Sequence, residues 1–224
     1  MIKLLSVADI ITIINAMLGF LAILMVLSSQ YQLAALFIFL GLLADGLDGI
    51  IARRMGNGRL GEYLETIADT VSLSVAPLTL IYAIYYPTII SQVSLHLLLG
   101  AVLLFSFICS IIRLSSFSLF KEKHVFVGLP TSASAMFLVL ISFLKIDRLY
   151  CMPFIVIFAL AMISPLRFPK PGLKINLIAA ALIIATILLN GSFNNIASLI
   201  FLVALVTYMI AGPLYLHLIN KTRQ

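Results

Sequence analysis

Charge is what this chain has least of. Only 10% of its 224 residues are Asp, Glu, Lys or Arg, against roughly 25% in soluble domains. At 63% hydrophobic residues it has too little polar surface for a soluble globular fold. Cysteine occurs twice, at Cys109 and Cys151. The two fall in different apolar stretches or at opposite ends of them, so a disulfide framework is not expected. Histidine occurs three times, and His96, His124 and His217 are scattered near helix ends. That spacing suits a membrane interface better than a ligand set. The short alternating segments of a membrane barrel are missing. The first apolar stretch carries no small-residue cleavage site followed by a soluble domain, so no removable signal peptide is expected. No internal repeat is found, and no connector is long enough to hold a soluble domain.

What is present is a series of apolar runs that reach or exceed the ~20 residues needed to cross a bilayer. They read as eight transmembrane helices, at roughly 8–28, 32–53, 61–86, 94–119, 127–145, 150–165, 173–190 and 195–217. The expected fold is all-α, a polytopic membrane helix bundle forming one domain over 1–224. The helices must bundle because lipid cannot satisfy exposed backbone groups. Lys and Arg sort to one face: Lys3, Arg53, Arg54, Arg59, Lys121, Lys123, Arg167, Lys170, Lys174, Lys221 and Arg223. The opposite face has Lys145 and Arg148. The positive-inside rule then makes both termini cytoplasmic. The +6 net charge reports this topology, not an affinity for nucleic acid.

Against this apolar background, Asp45, Asp48, Glu62, Glu65 and Asp69 crowd into one short window, five of the eight acids in the chain. Ionisable groups at membrane level are expensive and by default mark function. Asp45 and Asp48 share one helix face, and Glu62, Glu65 and Asp69 share another. The connector between the two helices, Arg53 to Leu60, is rich in glycine and turns the chain back. The two sets of acids therefore face each other at the cytoplasmic end of the bundle, as in carboxylate metal sites of helix bundles. Hard divalent cations take oxygen ligands and would neutralise the cluster. Gly46, Gly49 and Gly61 permit close backbone approach. Carboxylates, arginines and glycines together suit a metal–phosphate site. Arg53, Arg54 and Arg59 are also accounted for as topology charges, Arg54 most readily, and Glu62 as an acid near a helix N-terminus.

The run Asp45-Gly46-Leu47-Asp48-Gly49-Ile50-Ile51-Ala52-Arg53, followed by Gly61, Glu65 and Asp69, resembles the signature of the CDP-alcohol phosphotransferases. That signature reads D-x2-D-G-x2-A-R, a spacer, then G-x3-D-x3-D. Two features depart from it. The spacer is one residue short, and Glu65 stands where the family has Asp. The added methylene bears on metal preference and inter-metal distance, and marks either a subfamily or a loss of activity.

The resemblance implies a phospholipid synthase. It would use two divalent metals, Mg²⁺ or Mn²⁺, to transfer a phosphatidyl-type group from a CDP-linked lipid to an acceptor hydroxyl, releasing CMP. By position, Asp45 and Glu65 would bridge the metals and Asp48 would complete the first site. Asp69 would touch the second metal and act as general base. Gly49, Ala52 and Arg53 would hold the cytidine diphosphate. The first helix, Asp9 to Asn15, is similar to the family's first helix. Thr12 and Asn15 there are candidates for touching the nucleotide, with helix–helix hydrogen bonding as the alternative. A homodimer at the cell membrane is usual for such a protein.

Three further stretches bear on the acceptor: Ile112-Arg113-Leu114, Val127-Gly128-Leu129-Pro130 and Arg167-Phe168-Pro169-Lys170. They resemble the phosphatidylserine synthase and archaetidylserine synthase branch, which implies L-serine as acceptor. Leu73-Ser74 departs from that branch, where Phe-Gly is usual. Arg113 needs a partner inside an apolar helix. It reads as a clamp for serine's carboxylate or a lipid phosphate, or as the ion-pair partner of one of the five acids. Lys121, Arg167 and Lys170 extend a phosphate-facing surface or report topology. Inositol phosphate or glycerol phosphate is the alternative acceptor, but a phosphorylated acceptor calls for several clustered basic residues. A divalent-cation transporter would spread its acids along a path and show an internal repeat. Here the acids gather at one face.

Overall fold

The structure, a computed structural model, describes residues 5–55, 58, 60–117, 119, 125–144, 146–189 and 195–222. Its helices are α1 (Val7–Leu27), α2 (Tyr31–Met55), α3 (Gly61–Asp69), α4 (Ala76–Ile89), α5 (Val93–Ser115), α6 (Thr131–Leu144), α7 (Arg148–Ile163), α8 (Leu173–Leu188) and α9 (Ile196–Thr222). A π-helical segment, Thr70–Val75, joins α3 to α4. Two short strands, β1 (Val125–Val127) and β2 (Arg167–Pro169), pair antiparallel with Phe126 opposite Phe168.

Local chemistry sets several of these boundaries. A capping box opens α1: Ser6 Oγ accepts the Asp9 amide (3.2 Å) and Asp9 Oδ2 accepts the Ser6 amide (2.7 Å), satisfying two otherwise orphan donors. Pro77 is the second residue of α4, directly after the π-helical segment. Pro130 directly precedes α6, and Pro213 lies inside α9.

Five helical rods are long and apolar enough to cross a membrane: Val7–Leu27, Tyr31–Ala52, Gly61–Ile89, Val93–Ser115 and Ile196–Leu218. Three further apolar helices, Thr131–Leu144, Leu149–Ile163 and Ile175–Leu188, lie where other spans were expected but are shorter than those five. The described residues are nearly all-α, and the β1–β2 pair corrects the purely helical expectation. Val127 belongs to β1, and α6 starts only at Thr131. The cause is Gly128, whose φ of +78° takes the chain through the left-handed region, open to glycine but costly for other residues. An added Cβ there would lie 2.2 Å from the Met162 carbonyl oxygen. The helix expected to end near 119 stops at Ser115, so Arg113 stands in the last turn of α5.

Lipid supplies no hydrophobic drive between helices, so tight packing must hold the bundle. Ile38, Phe39, Leu80, Ile81, Leu99, Leu140, Ile155 and Met162 are fully enclosed. Leu97, Leu104, Leu177 and Val203 face outward, as a lipid-facing surface requires. At Gly19 on α1 the packing is close: an added Cβ would lie 2.5 Å from the Ser72 Cα of the π-helical segment. Backbone cannot yield as a side-chain tip does. Gly19→Ala is therefore expected to lower stability by about 1–3 kcal/mol, the usual range for overpacking. Thermal unfolding in detergent measures it, and an unchanged midpoint would mean α1 can slide on the segment.

Candidate active site

Asp45 and Asp48 lie on α2, with Gly49 and Ala52 on the same face. Glu65 and Asp69 lie on α3, which packs against α1, as α2 does. Asp45 is ten residues from the end of α2 and Asp69 eight from the start of α3. At ~1.5 Å per residue both sit about 12–15 Å in from the connector. One carboxylate oxygen from each of Asp45, Glu65 and Asp69 falls within 4.8 Å of the others. Asp48 is outside this cluster of three.

Helix α1 supplies partners to two of the acids. Thr12 Oγ1 donates to Asp48 Oδ2 (2.7 Å) and also lies 3.1 Å from the Ala8 carbonyl oxygen. Asn15 Nδ2 donates to Asp69 Oδ1 (3.0 Å). Thr12, Asn15, Asp48 and Asp69 are all buried. Thr12 and Asn15 thus each bond across to another helix.

The three clustered acids line an open cavity of about 150 Å³ together with Glu62, Thr66, Leu73, Arg113, Leu114, Phe117, Phe126, Pro130, Thr131 and Ser132. Arg113 is buried, its Nε donating to the Leu129 carbonyl (3.3 Å) and its guanidinium 5.5 Å from the Phe117 ring centre. The Gly128 turn fixes that carbonyl: the Gly128 amide donates to Leu166 O (2.7 Å) and the Leu129 amide to Ala161 O (2.9 Å). The partner found for Arg113 is therefore a backbone carbonyl, which leaves its charge facing the cavity. Lys170 Nζ lies 5.0 Å from the Phe126 ring centre, at the β1–β2 pair.

The structure thus brings Asp45, Glu65, Asp69 and Arg113 to one cavity. It links Asp48 and Asp69 to Thr12 and Asn15. Gly49 and Ala52 are half-buried on α2, outside the cavity lining. The Arg53 side chain and Lys121 lie outside the described residues. Sequence reasoning missed Phe117, Phe126, Thr131 and Ser132. These come from connectors and a helix start, where no periodic pattern marks a face.

The donor set fits a hard divalent cation. Three carboxylates this close repel one another unless a cation stands among them, and oxygen-only ligands suit Mg²⁺ or Mn²⁺. The apolar helices and this acidic cavity define an integral-membrane protein with a pocket able to hold a divalent metal. Residues 5–210 match the family model for CDP-alcohol phosphatidyltransferase, and the chain belongs to that family. It is 32% identical over 176 residues to a CDP-diacylglycerol–serine O-phosphatidyltransferase of Methanocaldococcus jannaschii, covering 77% of this chain and 78% of that one. A Bacillus subtilis protein of the same name is 35% identical over 59% of this chain and 73% of its own length. An archaetidylserine synthase of Methanothermobacter thermautotrophicus is 29% identical over 58% of this chain and 54% of its own.

Proposed function

We propose that this protein transfers the phosphatidyl-type group of a CDP-linked lipid to the hydroxyl of L-serine, releasing CMP. The observation that carries the reading is the cavity in which Asp45, Glu65 and Asp69 stand with the buried Arg113. The serine activity named for the relatives in Methanocaldococcus jannaschii and Bacillus subtilis supports the choice of acceptor.

Asp45, Asp48, Glu65 and Asp69 would hold two divalent ions, Mg²⁺ or Mn²⁺. Such ions neutralise a pyrophosphate and stabilise departing CMP. Asp69 takes the proton of the serine hydroxyl as it attacks the β-phosphorus, the one bonded to the lipid alcohol. That oxygen–phosphorus bond forms as the bond to the CMP phosphate oxygen breaks. A base within hydrogen-bond reach serves this step. Gly49, Ala52 and Arg53 would hold the cytidine diphosphate, and Arg113 would grip the acceptor's carboxylate. The Lys and Arg asymmetry supports cytoplasmic termini, with the site opening at the cytoplasmic face of the cell membrane. A homodimer is the assembly we expect.

The test is CMP release by purified protein with Mg²⁺ or Mn²⁺, comparing L-serine, glycerol 3-phosphate and inositol phosphate, each with CDP-diacylglycerol and CDP-archaeol. Serine-dependent release that EDTA abolishes is the expected result. Release only with a phosphorylated acceptor would overturn the acceptor while leaving the family chemistry. The two donors decide the lipid tail.

A further inference from the structure

The geometry points to Thr12 and Asn15 as positioning residues that hold Asp48 and Asp69 for metal binding, a role that rests on the reaction just proposed. Helix α1 contributes no carboxylate to the cluster. It nevertheless reaches one acid on α2 through Thr12 and one on α3 through Asn15. Each bond reaches one carboxylate oxygen and restrains the plane of the group. Hydrogen-bond partners of this kind orient metal ligands and tune their affinity.

Asn15 separates this role from ordinary packing. The Asp69 carboxylate only accepts, so the amide nitrogen must face it. The amide oxygen is thereby turned into the protein, where it is buried and has no hydrogen-bond partner among the described residues. A side chain serving only to join helices would gain by satisfying both ends, since an unpaired buried acceptor is destabilising. Room is kept for that oxygen: a Cβ added at Gly41 of α2 would stand 3.0 Å from it. One turn along α1, Gly19 lets the helix close on Ser72, just beyond Asp69. The same approach brings Asn15 within bonding range of the carboxylate. Thr12, Asn15 and Gly19 share one face of α1 at spacings of three and four.

The test measures Mn²⁺ affinity of the purified protein without nucleotide, by electron paramagnetic resonance, alongside CMP affinity at saturating Mn²⁺ and thermal stability. Thr12→Val keeps the shape and removes the hydroxyl, whereas Thr12→Ser keeps it. Asn15→Leu keeps the forked heavy-atom outline, though it is larger, and removes the donor. Thr12→Val and Asn15→Leu are expected to weaken Mn²⁺ binding roughly ten- to hundredfold, with Thr12→Ser near wild type. Wild-type Mn²⁺ affinity in the variants, with weaker CMP binding, would overturn the inference and make the pair nucleotide contacts. Unchanged affinities with only a lower unfolding temperature would overturn it in favour of packing. Should Asn15→Leu fail to fold, the Thr12 pair still decides the matter. A wild-type protein that binds no Mn²⁺ would fail the metal reading itself, whereas normal binding by wild type and variants alike would fail this inference alone.

Discussion

Asp69→Asn is expected to reduce serine-dependent CMP release by roughly 10²- to 10⁴-fold, the range for removal of a positioned general base. The substitution is nearly isosteric and keeps an oxygen that can accept from Asn15, which bonds Asp69 across 3.0 Å. Folding should therefore survive, and a normal unfolding temperature would show that it has. The replacement cannot take the serine proton, and it lowers the charge of a cluster whose oxygens lie within 4.8 Å of one another. Two contributions then add: loss of the base and weaker metal binding. Raising Mn²⁺ until binding saturates separates them. Any deficit that persists at saturation belongs to the base. Activity within about tenfold of wild type would move the base elsewhere, since that is less than a positioned base supplies.

The acids were legible because helical periodicity is strict. Spacings of three and four place Asp45 with Asp48, and Glu65 with Asp69, on single faces. In the structure Asp45 of α2 meets Glu65 and Asp69 of α3, while Asp48 stands outside that cluster. The helical rods were legible for a similar reason, since apolar length alone sets a span. The β1–β2 pair was not, because its strands are three residues each and come from connectors far apart in the chain. The π-helical turn after Asp69 left no trace either, as Thr70 to Val75 are ordinary helix residues for a membrane. Such insertions often lie at functional sites. Here the segment lies where Gly19 admits α1 closely and where Ser74 and Ser110 join α5 through their hydroxyls. The bonds from Thr12 and Asn15 depend on three-dimensional contact between elements 36 and 54 residues apart in sequence. Spacing within one helix can nominate those side chains but cannot name their partners.

The second large effect is expected at Arg113. Arg113→Met keeps a long, helix-compatible side chain but removes the charge from a cavity wall shared with Asp45, Glu65 and Asp69. If the guanidinium grips serine's carboxylate, KM for serine should rise roughly ten- to hundredfold, because a hydrogen bond to a charged group contributes about 1.5–3 kcal/mol. KM for the CDP-linked lipid should hardly move. Ethanolamine makes the test sharper, since it offers a hydroxyl and an amine without the carboxylate. Wild-type protein should prefer serine over ethanolamine, and Arg113→Met should lose most of that preference. Arg113→Lys should recover only part of it. Lysine keeps a cation but loses the Nε bond to the Leu129 carbonyl, 3.3 Å long, that aims the guanidinium. Lysine also lacks the planar fork that matches a carboxylate. A grip on the donor phosphate instead would raise KM for the CDP-linked lipid and leave the serine-to-ethanolamine ratio intact. The ratio reads acceptor recognition separately from any general loss of activity, because damage to the metal cluster lowers both acceptors together.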